Sequence, residues 1–268
     1  MTELIAEIGW NHMGNMKIAE EMICKASESG AKYAKFQTWS VDRLESGEWD
    51  HDGRRQIYEK AQLSYKDHEF LIELCKKYKI NFLSSCFSIE DAILLKDLGQ
   101  KKIKIPSFEV RNSNLIEFCL RHFDHVFIST GTANSKDLYD LKERVEGKST
   151  TIMHCVSSYP CNYENANLPR ILKLNEMFND VGYSDHIEGI DASIASLEFS
   201  PTHIEKHFTI DNNLPGRDNK FAILPNELLS LSNFIRNKKL LMIDHGINYQ
   251  SCEEISRKDY AGRFSKLK

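Results

Sequence analysis

Short apolar runs alternate with amphipathic stretches along the whole chain. Eight of these runs are rich in β-branched and apolar residues, and several become polar at their C-terminal end, as in FLSS and VFIST. Continuous apolar character is expected of parallel strands that are buried on both faces. The predicted strands are Leu4–Gly9, Tyr33–Thr38, Ile80–Ser85, Ile103–Ser107, Val126–Thr130, Thr151–Val156, Val181–Ser184 and His203–Thr209.

The intervals between these runs have helical patterns with recognisable ends. Predicted helices over Met16–Ser29 and Ile89–Leu98 are each followed by a glycine, which commonly stands just past a helix terminus. Asn134 and Pro225 are typical helix-start residues for two later helices. Repeated strand–helix alternation predicts an α/β protein with a parallel sheet and right-handed crossovers. Eight repeats favour a closed (β/α)8 TIM barrel, with an open doubly wound sheet as the main alternative.

The length of the chain agrees with a barrel of this kind. Dividing 268 residues by eight gives about 33 per unit, and barrels of this type have roughly 250 residues. We therefore expect a single domain over residues 1–268, with residues 39–64 as an insertion after the second strand, over the active face. Glycine-rich nucleotide motifs, GxGxxG after the first strand or GxxxxGK[ST] anywhere, are absent from the sequence.

Composition and charge narrow the class of protein. The chain has 35 Lys and Arg against 39 Asp and Glu, a net charge of −4, which argues against a nucleic-acid partner. No apolar run approaches the roughly 20 residues that a membrane span requires. The N-terminus lacks the pattern of a signal peptide, and the seven scattered cysteines without CxxC are typical of reduced thiols. These features predict a cytoplasmic protein that acts on small molecules, without membrane or nucleic-acid partners.

Two lysines, Lys35 in YAKFQT and Lys104 in IKIPS, stand inside otherwise apolar strands. A buried ammonium group is costly unless an anion pairs with it. In a barrel interior the anion can be a ligand carboxylate or phosphate, which lysine binds as a compact charge. Alternatively, each lysine pairs with a carboxylate such as Glu7 or Glu109, or faces solvent.

Two histidines, His186 and His207, close the adjacent seventh and eighth strands. Neighbouring strands lie roughly 5 Å apart, so both imidazoles can bind one divalent metal ion, with water and substrate completing the shell. Asp185 and Glu205 are candidates to orient the two rings. His154, at the end of the sixth strand, is either a third ligand or a core residue. The alternative is that the two histidines are simply hydrogen-bonded side chains.

The segments at the strand ends resemble a known family. AEIGWNHMG, AKFQT, FLSSCFS, IKIPSFE, ISTGT, MHCVSSYP, GYSDH and EKHFTIDNNLPGRD occur in the order and spacing of the sialic acid (N-acetylneuraminate) synthase family, which includes legionaminic and pseudaminic acid synthases. The resemblance extends over the whole chain. It implies a metal-dependent transferase that condenses phosphoenolpyruvate with an open-chain N-acylmannosamine-like aldose. The products would be a 3-deoxy-2-keto sugar acid for surface polysaccharide biosynthesis and phosphate.

The resemblance also implies roles for individual residues. A divalent metal, manganese with magnesium or cobalt as alternatives, is expected at His186 and His207. The residues expected to hold phosphoenolpyruvate are Lys35, Lys104, Ser85, Ser107, Ser129 and Ser157. The residues expected near the reacting carbons or the sugar hydroxyls are Glu7, Glu109, Tyr159 and Asp218, and we expect catalysis from Glu7, Glu109 and Lys35.

Three departures from the family pattern concern the acceptor sugar. Family members usually continue into a small antifreeze-like domain that reaches the partner subunit's active site, and this chain is expected to comprise the catalytic barrel only. A homodimer would then lack that exchanged domain. The usual GSGE is PSFE here, and Arg217 replaces a proline. Arg217, or Arg54 and Arg55, could therefore serve an altered acceptor. A metal-dependent pyruvate aldolase or lyase, and a non-catalytic barrel subunit, are the alternative functions.

Overall fold

Eight parallel strands close into a barrel in chain order. The computed structural model describes residues 2–263, apart from the side chain of Trp49. Each strand pairs with the next, and the eighth pairs with the first. The predicted (β/α)8 barrel is therefore confirmed. The strands are β1 (Glu3–Gly9), β2 (Tyr33–Thr38), β3 (Asn81–Cys86), β4 (Lys102–Ile105), β5 (His125–Ser129), β6 (Thr150–His154), β7 (Val181–Asp185) and β8 (His203–His207).

Helices occupy the intervals between strands, and all eight strands begin and end within two residues of their predicted bounds. Asn15 and Asn134 cap two of the helices through their side chains, and the cap at Asn134 confirms its prediction as a helix start. The helices are α1 (Met16–Glu28), α2 (Arg54–Ala61), α3 (Tyr65–Lys77), α4 (Ile89–Asp97), α5 (Ser113–His122), α6 (Ser135–Val145), α7 (Arg170–Asn175), α8 (Asp191–Ser196), α9 (Pro225–Leu241) and α10 (Glu254–Asp259).

Alternation along the strands separates two layers of packing. Successive side chains of a strand point to opposite faces. The outward residues pack with the helices in one large apolar cluster, while a smaller cluster fills the barrel interior. Because this apolar cluster fills the interior of the barrel, the polar residues at the strand ends form a site that lies above an apolar layer. The inner cluster consists of Ile5, Tyr33, Leu83, Phe127 and Met153.

The insertion over residues 39–64 is attached to the rest of the barrel at two places. Its structure comprises two 3-10 turns, Val41–Arg43 and Glu48–Asp50, followed by α2. Arg43 forms an ion pair with the buried carboxylate of Asp91 on α4. Gly14, with φ of +74°, approaches Lys60 so closely that a Cβ would lie 2.0 Å from its carbonyl oxygen. The insertion is therefore packed against the loop after β1.

The chain forms two compact units, Met1–Ile235 and Arg236–Lys268. All eight strands belong to the first unit, so the barrel uses less of the chain than division into eight equal parts suggested. The second unit contains a 3-10 turn, Ser251–Glu253, and α10. Over the described residues 2–263, the helices all fall short of the length and apolar character needed to cross a membrane.

Candidate active site

A cavity of about 570 Å³ opens at the C-terminal ends of the strands. Active sites of barrels of this type are built at this end. Its wall receives residues from all eight strand ends and from the insertion. The lining residues are Glu7, Trp10, Lys35, Gln37, Trp39, Leu44, Arg54, Tyr58, Ser85, Phe87, Lys104, Pro106, Ser107, Phe108, Ser129, Cys155, Ser157, Tyr159, Ser184, His186, Glu205, His207, Arg217 and Asp218.

Both predicted lysines lie on the floor of this cavity, in a buried network of charges. Lys35 Nζ is 2.7 Å from Glu7 Oε2 and 3.7 Å from Glu205 Oε2. It also donates to Ser85 Oγ at 2.9 Å. Lys104 Nζ lies 2.9 Å from the same Glu205 oxygen. Glu205 thus stands between two ammonium groups, and the network holds two cations against two carboxylates.

The surroundings of Glu7 and Glu205 give the two carboxylates of the network different pKa values. Burial raises the pKa of Glu7 to about 7, although Lys35 beside it acts in the opposite direction. Burial would also raise the pKa of Glu205, but Lys104 and Lys35 outweigh it and lower that pKa to about 2. Near neutral pH, Glu205 is therefore an anion, while Glu7 exchanges a proton readily.

Serine hydroxyls and a glycine form a small polar cradle beside Lys104. Ser107 and Ser157 share a hydrogen bond of 2.7 Å between their hydroxyl oxygens. Gly131 donates its N–H to Cys155 Sγ at 3.2 Å. A Cβ on Gly131 would lie 2.2 Å from Ser157 Oγ and 2.8 Å from Cys155 Sγ. The absence of a side chain at this position therefore keeps the cradle open.

We expect Gly131→Ala to weaken binding of any ligand held by this cradle at least roughly tenfold, because the methyl group displaces Ser157. Overpacking of this kind costs about 1–3 kcal/mol of folding free energy. Titration calorimetry with phosphoenolpyruvate and thermal unfolding separate the two effects. Gly189→Ala is the control for affinity: nothing lies within 4 Å of its Cβ position, and its φ of +71° makes the substitution cost stability without filling the cradle. Unchanged affinity in Gly131→Ala would contradict the role of the cradle.

His186 and His207 lie side by side, with ring centroids 5.6 Å apart. His186 Nδ1 is 2.7 Å from the carbonyl oxygen of Val156. A carbonyl only accepts hydrogen bonds, so Nδ1 carries the proton and Nε2 keeps its lone pair. Burial lowers the pKa of both histidines to about 4, and both rings are neutral at neutral pH.

The two imidazole rings are suitable metal ligands, but two ligands do not complete the coordination shell of a metal ion. His207 Nδ1 is buried and has no hydrogen-bond partner among the described residues. Neutral imidazole is the form that binds metals. Within residues 2–263, no group of three or more His, Cys, Asp and Glu side chains is arranged to hold a metal ion. An ion at His186 and His207 would therefore take its further ligands from water or substrate.

The predicted sugar-binding residues line the cavity around His207. Asp218 Oδ2 lies 3.7 Å from His207 Nδ1 and accepts a hydrogen bond of 2.9 Å from the indole of Trp10. Tyr159 packs on His186, with ring centroids 4.2 Å apart. Arg217 is exposed at the mouth and makes no ion pair with the described residues. The structure thus gathers these predicted side chains around one cavity.

Three residues singled out in the sequence lie elsewhere. Glu109 is the last residue of a 3-10 turn, accepts from Asn112 Nδ2 at 2.7 Å and is not part of the cavity lining. Asp185 faces away from His186 and binds Lys206 at 3.1 Å. His154 bonds the carbonyl of Ala166 at 2.8 Å. The geometry therefore favours Glu7 over Glu109 near the reacting carbons, and His154 is a core residue.

His154 makes folding stability sensitive to acid. Burial lowers its pKa from 6.5 to about 4, so the folded state resists protonation that the unfolded chain accepts. Stability is therefore lost as pH falls from 6.5 toward 4, by about 2 kcal/mol at pH 5. We expect His154→Gln to reduce this acid slope in chemical denaturation, because the variant has no imidazole at this position to take up a proton on unfolding. Equal slopes in the wild type and His154→Gln would contradict this account.

The sequence analysis did not predict the roles of several residues that line the cavity. Glu205 holds both lysines rather than orienting a histidine, and Gln37 donates to Glu7 Oε1 at 2.7 Å. Strand periodicity could have placed Glu205, because it stands two residues before His207 and faces the same side. Nothing in the sequence pattern indicated the cradle at Gly131, which depends on how three loops pack together.

Comparison with known proteins shows which proteins this chain is similar to. Residues 22–246 match a model described as the NeuB family. The chain is 34% identical to N,N'-diacetyllegionaminic acid synthase of Campylobacter jejuni, over 94% of this chain and 80% of that protein. It is 32% identical to pseudaminic acid synthase of Helicobacter pylori, over 90% and 75%.

A solved structure supports the same relationship. The N-acetylneuraminic acid synthetase of Leptospira borgpetersenii superposes with a TM-score of 0.85 at 30% identity, covering 98% of this chain and 93% of that one. The matched region contains the whole barrel and the cavity described above. The chain belongs to the NeuB family.

Proposed function

We propose that this chain joins phosphoenolpyruvate to an open-chain aldose, giving a 3-deoxy-2-keto sugar acid and phosphate. The observation that carries the proposal is one cavity in which two buried lysines, a serine cradle and two neutral histidines converge. Related proteins named as sugar-acid synthases support it. Phosphoenolpyruvate has a carboxylate and a phosphate, and the cavity offers two ammonium groups and the hydroxyl cradle as hydrogen-bond donors to these two anionic groups.

Lys104 and the cradle suit the binding of a small dianion. Among the described residues, the partner of Lys104 Nζ is Glu205, so two of its three N–H bonds remain for a ligand. Ser107 and Ser157 share one hydrogen bond, so one of their two O–H groups remains to donate to a ligand, and Ser129 also lines the cavity. Lys35, fixed between Glu7 and Ser85, offers its charge to the other end of the ligand.

His186 and His207 are the residues that would hold a divalent metal ion, with manganese as our first choice. Bound there, the ion would supply Lewis-acid polarisation of the acceptor's aldehyde. The protein contributes two pre-oriented neutral rings, because the Val156 carbonyl fixes the tautomer of His186. Tyr159, packed on His186, closes the cavity on this side and limits the access of water.

The reaction requires a group that exchanges a proton near neutral pH. The methylene carbon of phosphoenolpyruvate attacks the aldehyde carbon, one C–C bond forms as the C=O π bond breaks, the aldehyde oxygen takes up a proton to become a hydroxyl, and positive charge develops at the enol carbon. Water adds to that carbon, and loss of phosphate leaves the ketone. Glu7, with its raised pKa, is placed to stabilise the cation and take the proton from the water. Glu205 stays ionised and balances the lysines.

Asp218, Tyr159 and Arg217 are assigned to the acceptor. Asp218 lies beside His207 and is oriented by the indole of Trp10. Its carboxylate can accept hydrogen bonds from sugar hydroxyls. Arg217 at the mouth offers five N–H donors to oxygen atoms at the far end of the sugar. The acceptor site is thus assembled from the barrel's own loops.

Phosphate release tests the proposal. The protein, supplied with Mn²⁺ and phosphoenolpyruvate, should release phosphate only when an aldose such as N-acetylmannosamine is present, and a chelator should abolish the release. Consumption of the sugar acid to give pyruvate without phosphate release would instead indicate an aldolase. Failure to bind either Mn²⁺ or phosphoenolpyruvate would indicate a non-catalytic barrel.

A further inference from the structure

An aromatic wall stands at the mouth of the cavity. It consists of Trp10, Trp39 and Tyr58, all three of which line the cavity. The ring centroids of Trp10 and Tyr58 are 5.6 Å apart at an interplanar angle of 63°, and those of Trp39 and Tyr58 are 5.6 Å apart at 75°. These are edge-to-face contacts, which fix the orientation of the rings.

The aromatic wall is built into the structure rather than loosely attached. Trp39 follows β2, and Tyr58 lies on α2 of the insertion. The insertion is fixed to α4 by the Arg43–Asp91 ion pair, and its own two ends are joined by Gln62, whose side chain accepts from the N–H of Val41 at 3.1 Å. A fixed surface of this kind loses little conformational freedom when a ligand binds to it.

The wall and the serine cradle stand on opposite sides of the barrel. Trp10 and Trp39 follow β1 and β2, whereas Ser107, Gly131 and Ser157 follow β4, β5 and β6. In a closed ring of eight strands, the fifth lies across from the first. A ligand in the cradle therefore leaves the space between itself and the wall for a second molecule.

Trp10 connects the aromatic wall to Asp218, which lies beside His207. Its ring packs on Tyr58, and its Nε1–H donates to Asp218 Oδ2 at 2.9 Å. The same Asp218 oxygen faces His207. A molecule that lies against the wall is thereby placed with its polar end toward Asp218 and the two histidines.

We propose that Trp10, Trp39 and Tyr58 form the acceptor-binding surface, against which the C–H face of the aldose carbon chain lies. This inference rests on the proposed function, because it assigns the second substrate. Aromatic faces are electron-rich, and the C–H bonds of a sugar carry partial positive charge, so the two stack favourably. Arg54, the guanidinium of the insertion that lines the cavity, is paired with Asp52 at 2.6 Å. The wall itself carries no charge, so it favours contact with the C–H face of the carbon chain over contact with a phosphate group.

Steady-state kinetics of Tyr58→Ala, Tyr58→Phe and Trp10→Phe test the assignment, with whichever aldose supports fastest phosphate release in a panel containing N-acetylmannosamine and mannose. We expect Tyr58→Ala to raise the acceptor KM roughly tenfold, the scale of one lost aromatic contact, with the KM for phosphoenolpyruvate within twofold. Tyr58→Phe should restore the wild-type acceptor KM. Trp10→Phe keeps a ring but removes the donor to Asp218, so kcat should fall more than the acceptor KM rises.

Tyr139→Ala is the matched control, since this exposed tyrosine lies on α6, away from the cavity. Equal changes in both KM values for Tyr58→Ala, or an unchanged acceptor KM in a folded variant, would overturn the assignment. A 6-phosphorylated aldose that is preferred tenfold or more, with the preference lost in Arg217→Ala, would also overturn it.

Equilibrium titration separates this inference from the proposed function. Trp10 and Trp39 line the cavity, so their fluorescence should change when the aldose is added to protein already saturated with Mn²⁺ and phosphoenolpyruvate. One outcome would overturn the aromatic wall as the acceptor surface but not the proposed function. In that outcome, phosphate release depends on the aldose, but the fluorescence does not change and Tyr58→Ala has no effect on the acceptor KM. The absence of phosphate release with every aldose would overturn the function itself.

Discussion

His186→Ala and His207→Ala are each expected to lower kcat at least roughly 10³-fold, which corresponds to about 4 kcal/mol of transition-state stabilisation. The rings are neutral, adjacent and buried in the cavity, so each substitution removes one of the two donors available to a metal ion. Isothermal titration with Mn²⁺ should show the loss directly, independently of turnover. Removal of metal by a chelator should produce the same inactive state in the wild type, and added Mn²⁺ should reverse it.

The matched control for these variants is His154→Gln. His154 is a buried histidine of the same barrel, but it bonds a backbone carbonyl outside the cavity. We expect this variant to bind Mn²⁺ as the wild type does and to keep its kcat within a few fold. Wild-type Mn²⁺ affinity in both His186→Ala and His207→Ala would show that the metal site lies elsewhere.

Lys104→Met is expected to weaken phosphoenolpyruvate binding by roughly one to two orders of magnitude, since a hydrogen bond to a charged group contributes about 1.5–3 kcal/mol. The variant should also lose about 3–5 kcal/mol of folding stability, because Glu205 then keeps the hydrogen bond from Ser184 but only the more distant Lys35 as a buried cation. Titration calorimetry measures the first effect, and urea denaturation measures the second.

Two further variants separate binding from stability. Lys104→Met combined with Glu205→Gln removes the uncompensated charge, so stability should return while phosphoenolpyruvate affinity does not. Lys206 provides the matched control, since it is buried and paired with Asp185 but points away from the cavity. Lys206→Met should destabilise the fold and leave phosphoenolpyruvate affinity within twofold. Recovery of affinity in the double variant would contradict the role of Lys104.

The barrel could be predicted because its sequence signals are local and repeated. Strands buried on both faces must be apolar along their length, and each must end where its polar residues meet solvent. The same logic placed Lys35 and Lys104 in the interior, since an ammonium group in an apolar strand needs a buried anion. Their actual partners, Glu7 and Glu205, required the three-dimensional register.

The errors in the site have a simple geometric cause. Asp185 and His186 are adjacent along the chain, so their side chains leave the strand on opposite faces, and Asp185 pairs with Lys206 on the outside. Glu109 stands two residues after Ser107, but a 3-10 turn begins at Ser107 and ends the strand's alternation. Counting along an ideal strand fails wherever the strand has already ended.

The aromatic wall was beyond prediction for a different reason. Trp10 lies in the loop after β1, whereas Trp39 and Tyr58 belong to the insertion, and the contacts of Trp10 with Tyr58 depend on how the insertion packs on the loop after β1. That packing depends on Gly14 and on the Arg43–Asp91 pair. Neither has a recognisable sequence pattern. The proposed acceptor surface therefore depends on tertiary packing between loops.

The most direct test of the central claim follows one oxygen atom. Phosphoenolpyruvate labelled with ¹⁸O in its bridging position is incubated with the protein, Mn²⁺ and the aldose panel, and the released phosphate is analysed by mass spectrometry. Condensation followed by addition of water to the enol carbon predicts aldose-dependent release of phosphate that carries the label, together with an equal amount of sugar acid. Release without an aldose, or unlabelled phosphate, would contradict it.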